Sequence, residues 1–347
     1  MDQNQSQSKI ESALPKHQRS TIHKVILRVL KIAGICLGTF IACGVILWNW
    51  PTGFYTVATA LGRLSSGVRL EEIIVRGIAT PTLDGGSSVS LDPLQPDRTP
   101  ILFLHGWGTS KEAMMSEMRW FVSTRRVIAP DMPGFGANML RADQPVLDGA
   151  GYVKWIEDFR IAANLGQVDV VGESMGGALA AAYAAAYPDS VRRVVLQSAA
   201  GLEAPKVNAF MRDVAAGKNP LLIASSSDFD RVIGLCFANP PPIPTPFKTV
   251  LIDRAIAHLP KQREMLAALQ DFLMHGNRDI LGSIRAPTLI LYGTADQITD
   301  ASLLNVYRDG IRNSTGVLIE GAGHVIFYDA PKETFRAISA FLDSERL

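Results

Sequence analysis

From residue 69 onward, short apolar runs alternate with longer stretches of helical character. The runs at 101–104 (I-L-F-L), 126–129 (R-V-I-A), 168–171 (V-D-V-V), 191–196 (V-R-R-V-V-L), 288–292 (T-L-I-L-Y) and 316–319 (G-V-L-I) are rich in β-branched and aliphatic residues. Each is short enough for a strand buried on both faces. Residues 69–78 read as a first strand, Asp84-Gly85-Gly86 as a turn, and 91–99, with two prolines, as a loop. Between the runs lie helical patterns, at 152–164, 177–187 and 330–341 among others. Strands alternating with helices predict an α/β fold: a mostly parallel sheet flanked by helices. No repeat or low-complexity tract interrupts it.

One stretch breaks the alternation. Residues 202–275 contain no strand of the core type, but helical segments at 207–215, 227–237, 249–257 and 262–274, with a proline cluster at 240–246. An insert of this size between two strands predicts a small helical cap. Its large apolar residues would fill the cap's own core and its seam with the sheet, and some would line a pocket; Phe229, Phe237 and Phe247 are the candidates for an acyl pocket.

The N-terminal segment has a different pattern. Residues 1–23 are polar and read as a disordered basic tail. Residues 32–48 are continuously apolar or small. Lys9, Lys16, Arg19, Lys24, Arg28 and Lys31 precede them; Trp48, Trp50, Phe54 and Tyr55 close the run. This predicts a transmembrane anchor over 24–50, with the N-terminus cytoplasmic and the following domain on the other side of the bilayer. A cleaved signal peptide would need a small-x-small site just after the run, and Ala58-Thr59-Ala60 lies far downstream. A lipoprotein cysteine at Cys43 and a buried core helix are the other readings. The expected layout is then a linker over 51–68, a core over 69–201 and 276–347, and a cap over 202–275.

Composition narrows the classes. The chain has 347 residues, 47% of them hydrophobic, so a large core is available. The formal net charge is +1, without the basic stripe that nucleic-acid binding requires. The three cysteines have neither disulfide-framework nor zinc spacing, and no metal or cofactor is expected.

The densest chemical signal follows the run at 168–171. Gly172-Glu173-Ser174-Met175-Gly176 fits G-x-S-x-G, between a strand and an Ala-rich helix. In that context the serine sits on a strained turn, and Gly172 and Gly176 avoid clashes with neighbouring elements. A serine needs a base, the base an orienter, and the reaction donors for a developing oxyanion. His324 lies in the glycine-rich loop after 316–319, and Asp296 just after 288–292. Both stand at the carboxyl ends of strands, where open parallel sheets carry their sites. Asp300 is a near rival for the orienter. His105 and Gly106 begin the loop after 101–104, with a supporting structural role expected for His105. The backbone N–H groups of Trp107 and Met175 are the candidate oxyanion donors.

These segments resemble the α/β-hydrolase superfamily: Leu104-His105-Gly106-Trp107-Gly108, Asp131-Met132-Pro133-Gly134-Phe135-Gly136, Gly172-Glu173-Ser174-Met175-Gly176-Gly177, Gly293-Thr294-Ala295-Asp296 and Gly323-His324. More narrowly, Ala185-Ala186-Tyr187-Pro188, Ser198-Ala199-Ala200-Gly201-Leu202 and Asp296-Gln297-Ile298, behind an apolar N-terminal segment, look like membrane-anchored monoacylglycerol lipases and related bacterial lipases. The resemblance implies a serine-dependent carboxylic-ester hydrolase with Ser174, His324 and Asp296 as nucleophile, base and orienter. Its substrate would be a small-molecule acyl ester and its surroundings a lipid bilayer, while oligomeric state stays open. The alternatives are a carbon–carbon, amide or haloperoxidase-type enzyme with the same triad, or a non-catalytic membrane-tethered binding protein. Glu173 departs from the more usual His, Thr or Asn and puts a carboxylate beside the site.

Overall fold

The computed structural model describes residues 16–86 and 99–344. Eight strands build one sheet: β1 (Val68–Val75), β2 (Ile78–Gly85), β3 (Ile101–Leu104), β4 (Val127–Pro130), β5 (Val168–Glu173), β6 (Val191–Gln197), β7 (Thr288–Gly293) and β8 (Ser314–Ile319). Their spatial order is β1-β2-β4-β3-β5-β6-β7-β8. β3 to β8 run parallel, and the β1–β2 and β2–β4 pairings are antiparallel. The central strands are buried on both faces because side chains alternate across the sheet. Leu102, Leu104, Val170, Val194, Leu196 and Ile290 face one apolar cluster; Ile101, Phe103, Val171, Val195, Leu289 and Leu291 face another. The first is covered by Tyr152, Ile156 and Phe159, by Leu179 and Tyr183, and by Leu304 and Tyr307. Met118, Phe121, Ile338 and Leu342 cover the second. This is the α/β architecture that the alternating pattern predicts.

The helices are α1 (Lys16–Trp48), α2 (Pro51–Ser65), α3 (Met115–Phe121), α4 (Gly149–Ala162), α5 (Met175–Ala186), α6 (Ala209–Ala215), α7 (Ser226–Cys236), α8 (Thr245–His275), α9 (Leu303–Gly310), α10 (Ile326–Asp329) and α11 (Pro331–Asp343). Helices α6 to α8 occupy the long interval between β6 and β7.

Several expectations are corrected. The strand expected over 69–78 is the first arm of a hairpin. It turns at Arg76 and Gly77, whose φ values of 51° and 79° suit a two-residue turn of the primed type. Asp84 and Gly85 end β2 instead of forming a turn. The loop expected at 91–99 lies outside the described residues except for its last position. The helices expected at 249–257 and 262–274 are one helix, α8, which carries Pro260 in its interior. A proline there removes one backbone hydrogen bond, but a 31-residue helix packed through Val250, Met265 and Leu269 retains the rest.

The N-terminal expectations change most. Residues 1–15 of the expected tail lie outside the described residues, whereas 16–23 already belong to α1. The expected linker over 51–68 is largely helix α2. Among the described residues no helix is long and apolar enough to cross a membrane, so the expected transmembrane span is not found. The continuously apolar or small run between Lys31 and Asn49 covers only 32–48, 17 residues that include Gly34, Gly38 and Gly44. At 1.5 Å per residue it reaches ~25 Å, short of the ~30 Å hydrocarbon core. The chain divides into two compact units, one ending at Thr56 and the other beginning at Val57.

Candidate active site

β5 delivers Ser174 into a turn that only a constrained neighbourhood allows. Its φ and ψ are 55° and −116°, an unfavourable conformation for a residue with a side chain. The turn is held by Ser174 N–H donating to the Gln197 carbonyl at 2.9 Å and by Ala178 N–H donating to the Ser174 carbonyl at 3.0 Å. A Cβ at Gly172 would collide with the Gly176 carbonyl, and one at Gly176 with the Leu104 carbonyl. The two glycines thus let β5, α5 and the end of β3 converge on the serine.

His324 and Asp296 come from the loops after β8 and β7. Those loops are laced together: Thr294 N–H donates to the Ile319 carbonyl and Ala295 N–H to the Ala322 carbonyl. His324 is buried, and its Nδ1 lies 2.9 Å from Asp296 Oδ2. The other oxygen of Asp296 accepts from the N–H groups of Ile298 and Thr299 at 2.8 and 3.0 Å. The Thr299 hydroxyl lies 2.8 Å from Asp296 Oδ2 and 3.2 Å from His324 Nδ1. Asp300 is turned elsewhere: its Oδ1 accepts from Ser302 N–H, and it has no bond to His324. Burial pushes the His324 imidazole down, but the Asp296 carboxylate, its hydrogen bond and the Glu173 carboxylate push harder the other way, so its pKa is raised.

His105 is fully buried and structural in its contacts. Its Nδ1 lies 2.9 Å from the Gly106 carbonyl, which makes Nδ1 the donor, and Nε2 accepts from Met132 N–H at 3.2 Å. The loops after β3 and β4 are thereby tied together. A second tie is the buried pair of Lys111 and Asp131, with Nζ 2.7 Å from Oδ2. Among the described residues neither the Trp107 N–H nor the Met175 N–H donates to a protein acceptor. Both residues border the same cavity as Ser174.

That cavity is bounded mostly by apolar side chains. Phe210, Met211 and Val214 of α6 line it, as do Leu266, Leu273 and Met274 of α8. Helix α6 is fixed there by Asn208, which caps it through Met211 N–H and donates to the carbonyls of Gln297 and Ile298. The phenylalanines expected at an acyl pocket do not line this cavity. Phe229 is buried in the cap with Lys248 over its ring, Phe237 packs edge-on against Tyr328, and Phe247 lies in the first turns of α8. Phe229 packs within the cap, and Phe237 packs at its seam with α10.

Three groups near the site escaped the sequence reading. Thr299 follows Asp296 by three positions, the spacing at which a short side chain can bond back across a turn. Glu117 of α3 is fully buried, accepts from Gln197 Nε2 at 2.9 Å, and is pushed up to about 8, chiefly by burial. Nothing in the local sequence of either Glu117 or Gln197 marks them as partners.

The family model of the alpha/beta hydrolase fold matches residues 99–331. Among curated proteins the chain is 29% identical to monoacylglycerol lipase ABHD6 of Homo sapiens, over 72% of this chain and 77% of that protein. It is 28% identical to Lipase 1 of Psychrobacter immobilis, over 71% of this chain and 78% of that protein. Among solved structures, a membrane phospholipase A described as a bacterial virulence factor superposes with a TM-score of 0.79 and 28% identity. That match covers 90% of this chain and 97% of the other.

Proposed function

Because the chain belongs to the alpha/beta hydrolase fold family, we propose that the carboxylic-ester hydrolysis it carries out proceeds at Ser174 and acts on lipid-like acyl esters, monoacylglycerols among them. The observation that carries this reading is the pairing of His324 Nδ1 with Asp296, which leaves Nε2 as the nitrogen able to take a proton.

Ser174 Oγ bonds to the ester carbonyl carbon as its proton passes to His324 Nε2. The carbonyl oxygen takes the negative charge and is met by the N–H groups of Trp107 and Met175, the second at the N-terminus of α5. His324 then gives the proton to the leaving alkoxide and an acyl-enzyme remains. Water repeats the sequence: its proton goes to Nε2, its oxygen bonds to the acyl carbon, and Ser174 leaves with the proton restored. Asp296 holds the ring so that Nδ1 carries hydrogen throughout, supported by Thr299.

The lipid-like class is supported by the apolar cavity beside Ser174 and by the relatives named as lipases. Attachment to a lipid surface is part of the same proposal. It is supported by the exposed Leu27, Val29, Leu30, Ile32, Ile41, Val45, Ile46 and Trp48 of α1. The test is labelling with a fluorophosphonate, followed by turnover of p-nitrophenyl esters of graded length and of monoacylglycerols. Ser174 should be the labelled residue, and Ser174→Ala should lower kcat by roughly 10³-fold or more with the fold intact. Labelling elsewhere, or a variant that keeps more than about a tenth of the activity, would remove the assignment.

A further inference from the structure

His324 is flanked by two carboxylates, not one. Asp296 holds Nδ1, and Glu173 Oε1 lies 3.5 Å from Nε2. Nε2 is the nitrogen that must receive the serine proton; among the described residues it is hydrogen-bonded to neither Ser174 Oγ nor Glu173, and Glu173 stands at ion-pair distance. Glu173 is only 5% exposed and cannot swing away to solvent. Its other oxygen sits against Gly106, where a Cβ would collide with it, so the backbone of the loop after β3 fixes the carboxyl group.

We propose that Glu173 is a positioning residue for His324: its carboxyl group, at ion-pair distance from Nε2, keeps a proton on the pair in the resting enzyme, so that Ser174 gains its base only when that proton has left. The inference rests on the reading of His324 as the base. In the resting state the pair carries one proton beyond the Nδ1 hydrogen. Loss of that proton to solvent leaves a carboxylate and an imidazole with a free Nε2 lone pair. When Ser174 then passes its proton to Nε2, the imidazolium lies between Asp296 and Glu173 and is stabilised by both. Glu173 therefore delays the base at low pH and strengthens it at high pH.

The surrounding groups favour sharing over full ionisation. His324 and Asp296 approach Glu173 from the loops after β8 and β7, Glu117 from α3, and Cys236 from the end of α7. Glu173 is raised to about 7, chiefly by burial; the His324 charge and the Gly106 amide oppose the rise, and the Asp296 charge adds to it. Two ionisable groups this close titrate as a coupled pair.

The experiment is the pH dependence of fluorophosphonate inactivation of the full chain, for wild type and Glu173→Gln. This readout needs Ser174 and its base but no ester. The acid limb should move down by about one pH unit in Glu173→Gln, so the variant reacts up to about tenfold faster near pH ~5.5 and several-fold slower above pH ~9. That crossing is something a purely structural loss would not produce. An unmoved limb with reactivity retained overturns the proposal. Failure of the wild type to be labelled at all would instead overturn the serine-hydrolase reading. If Glu173→Gln does not fold, ¹⁵N-histidine NMR of the wild type decides. Two coupled titration steps at Nε2 support the shared proton, and one simple step overturns it.

Discussion

Asp296 Oδ2 lies 2.9 Å from His324 Nδ1, and the Thr299 hydroxyl lies 2.8 Å from the same oxygen. Asp300, one helical turn on, is spent on Ser302 N–H. Asp296→Asn is therefore expected to cost about 10²–10⁴ in kcat, because an amide at this place favours the wrong tautomer. Asp300→Asn should cost less than about threefold. Steady-state kinetics on one soluble ester checks both, and the reverse ranking would transfer the role to Asp300.

Thr299→Val keeps the shape of the side chain and removes its hydroxyl. The lost hydrogen bond to a charged group is worth about 1.5–3 kcal/mol, so kcat/KM should fall by roughly 10- to 100-fold. KM alone should move little, since Thr299 acts on the orienter. An unchanged kcat/KM would show that Asp296 is held well enough by the N–H groups of Ile298 and Thr299.

The cavity lining makes a separate prediction about chain length. Each buried methylene adds about 0.8 kcal/mol, so kcat/KM should rise from acetyl esters to medium chains and then level off. Leu273→Trp should shorten the preferred chain, because Leu273 borders the cavity beside Ser174. Phe229→Ala should leave the profile in place and lower stability, by about 3–5 kcal/mol for a buried aromatic. A profile moved by Phe229→Ala and not by Leu273→Trp would reverse the assignment.

What the sequence made legible follows from how local each signal is. The strands at 101–104 and 168–171 are short runs whose neighbours in the sheet bury them on both faces, so composition alone marks them. Ser174 is legible because its strain requires Gly172 and Gly176 within two residues. The residues that line the cavity beside Ser174 were missed for the opposite reason. Phe210 and Phe229 both lie on cap helices, and it is the helix of the first that Asn208 tethers to the loop after β7 beside the cavity. The hairpin at Arg76-Gly77 was missed because Arg-Gly is not one of the strong turn pairs such as Asn-Gly or Asp-Gly, and apolar residues stand on both sides of it. Glu117 and Gln197 are 80 positions apart and meet only through the sheet.

Glu117 predicts how stability varies with pH. Its carboxyl is raised from 4.5 to about 8, chiefly by burial, eased by the Gln197 amide and raised further by the Glu173 charge. A carboxyl raised on folding holds its proton more tightly in the native state than in the unfolded one. Its contribution is fully present below about pH 4.5 and is lost as pH climbs through about 8. Glu117→Gln keeps the size and the contact with Gln197 but has nothing to ionise. The wild-type Tm should therefore fall relative to the variant between those limits, by about 2–4 °C or more for a domain of this size. Parallel Tm curves across that range would show that Glu117 is not the group responsible.

Helix α1 carries the last prediction. Leu27, Val29, Leu30, Ile32, Ile41, Val45, Ile46 and Trp48 are each at least 44% exposed, a density of apolar surface that water does not favour. Burying even half of them at about 1.5–3 kcal/mol apiece would hold the chain on a bilayer for practical purposes. The exposed basic Arg28 and Lys31 lie beside this surface and would add attraction to anionic headgroups. The full chain should float with anionic lipid vesicles. A chain starting at Pro51 should stay in the aqueous layer with unchanged kcat/KM on a short soluble ester. A carbonate wash then separates the modes of attachment. Release would place α1 on the surface, as an apolar run of 17 residues suggests, and retention would mean that flanking residues lengthen it into a span. A full chain that neither floats nor differs from the shortened one would remove the lipid surface from the proposal while leaving the ester chemistry at Ser174 to stand on its own tests.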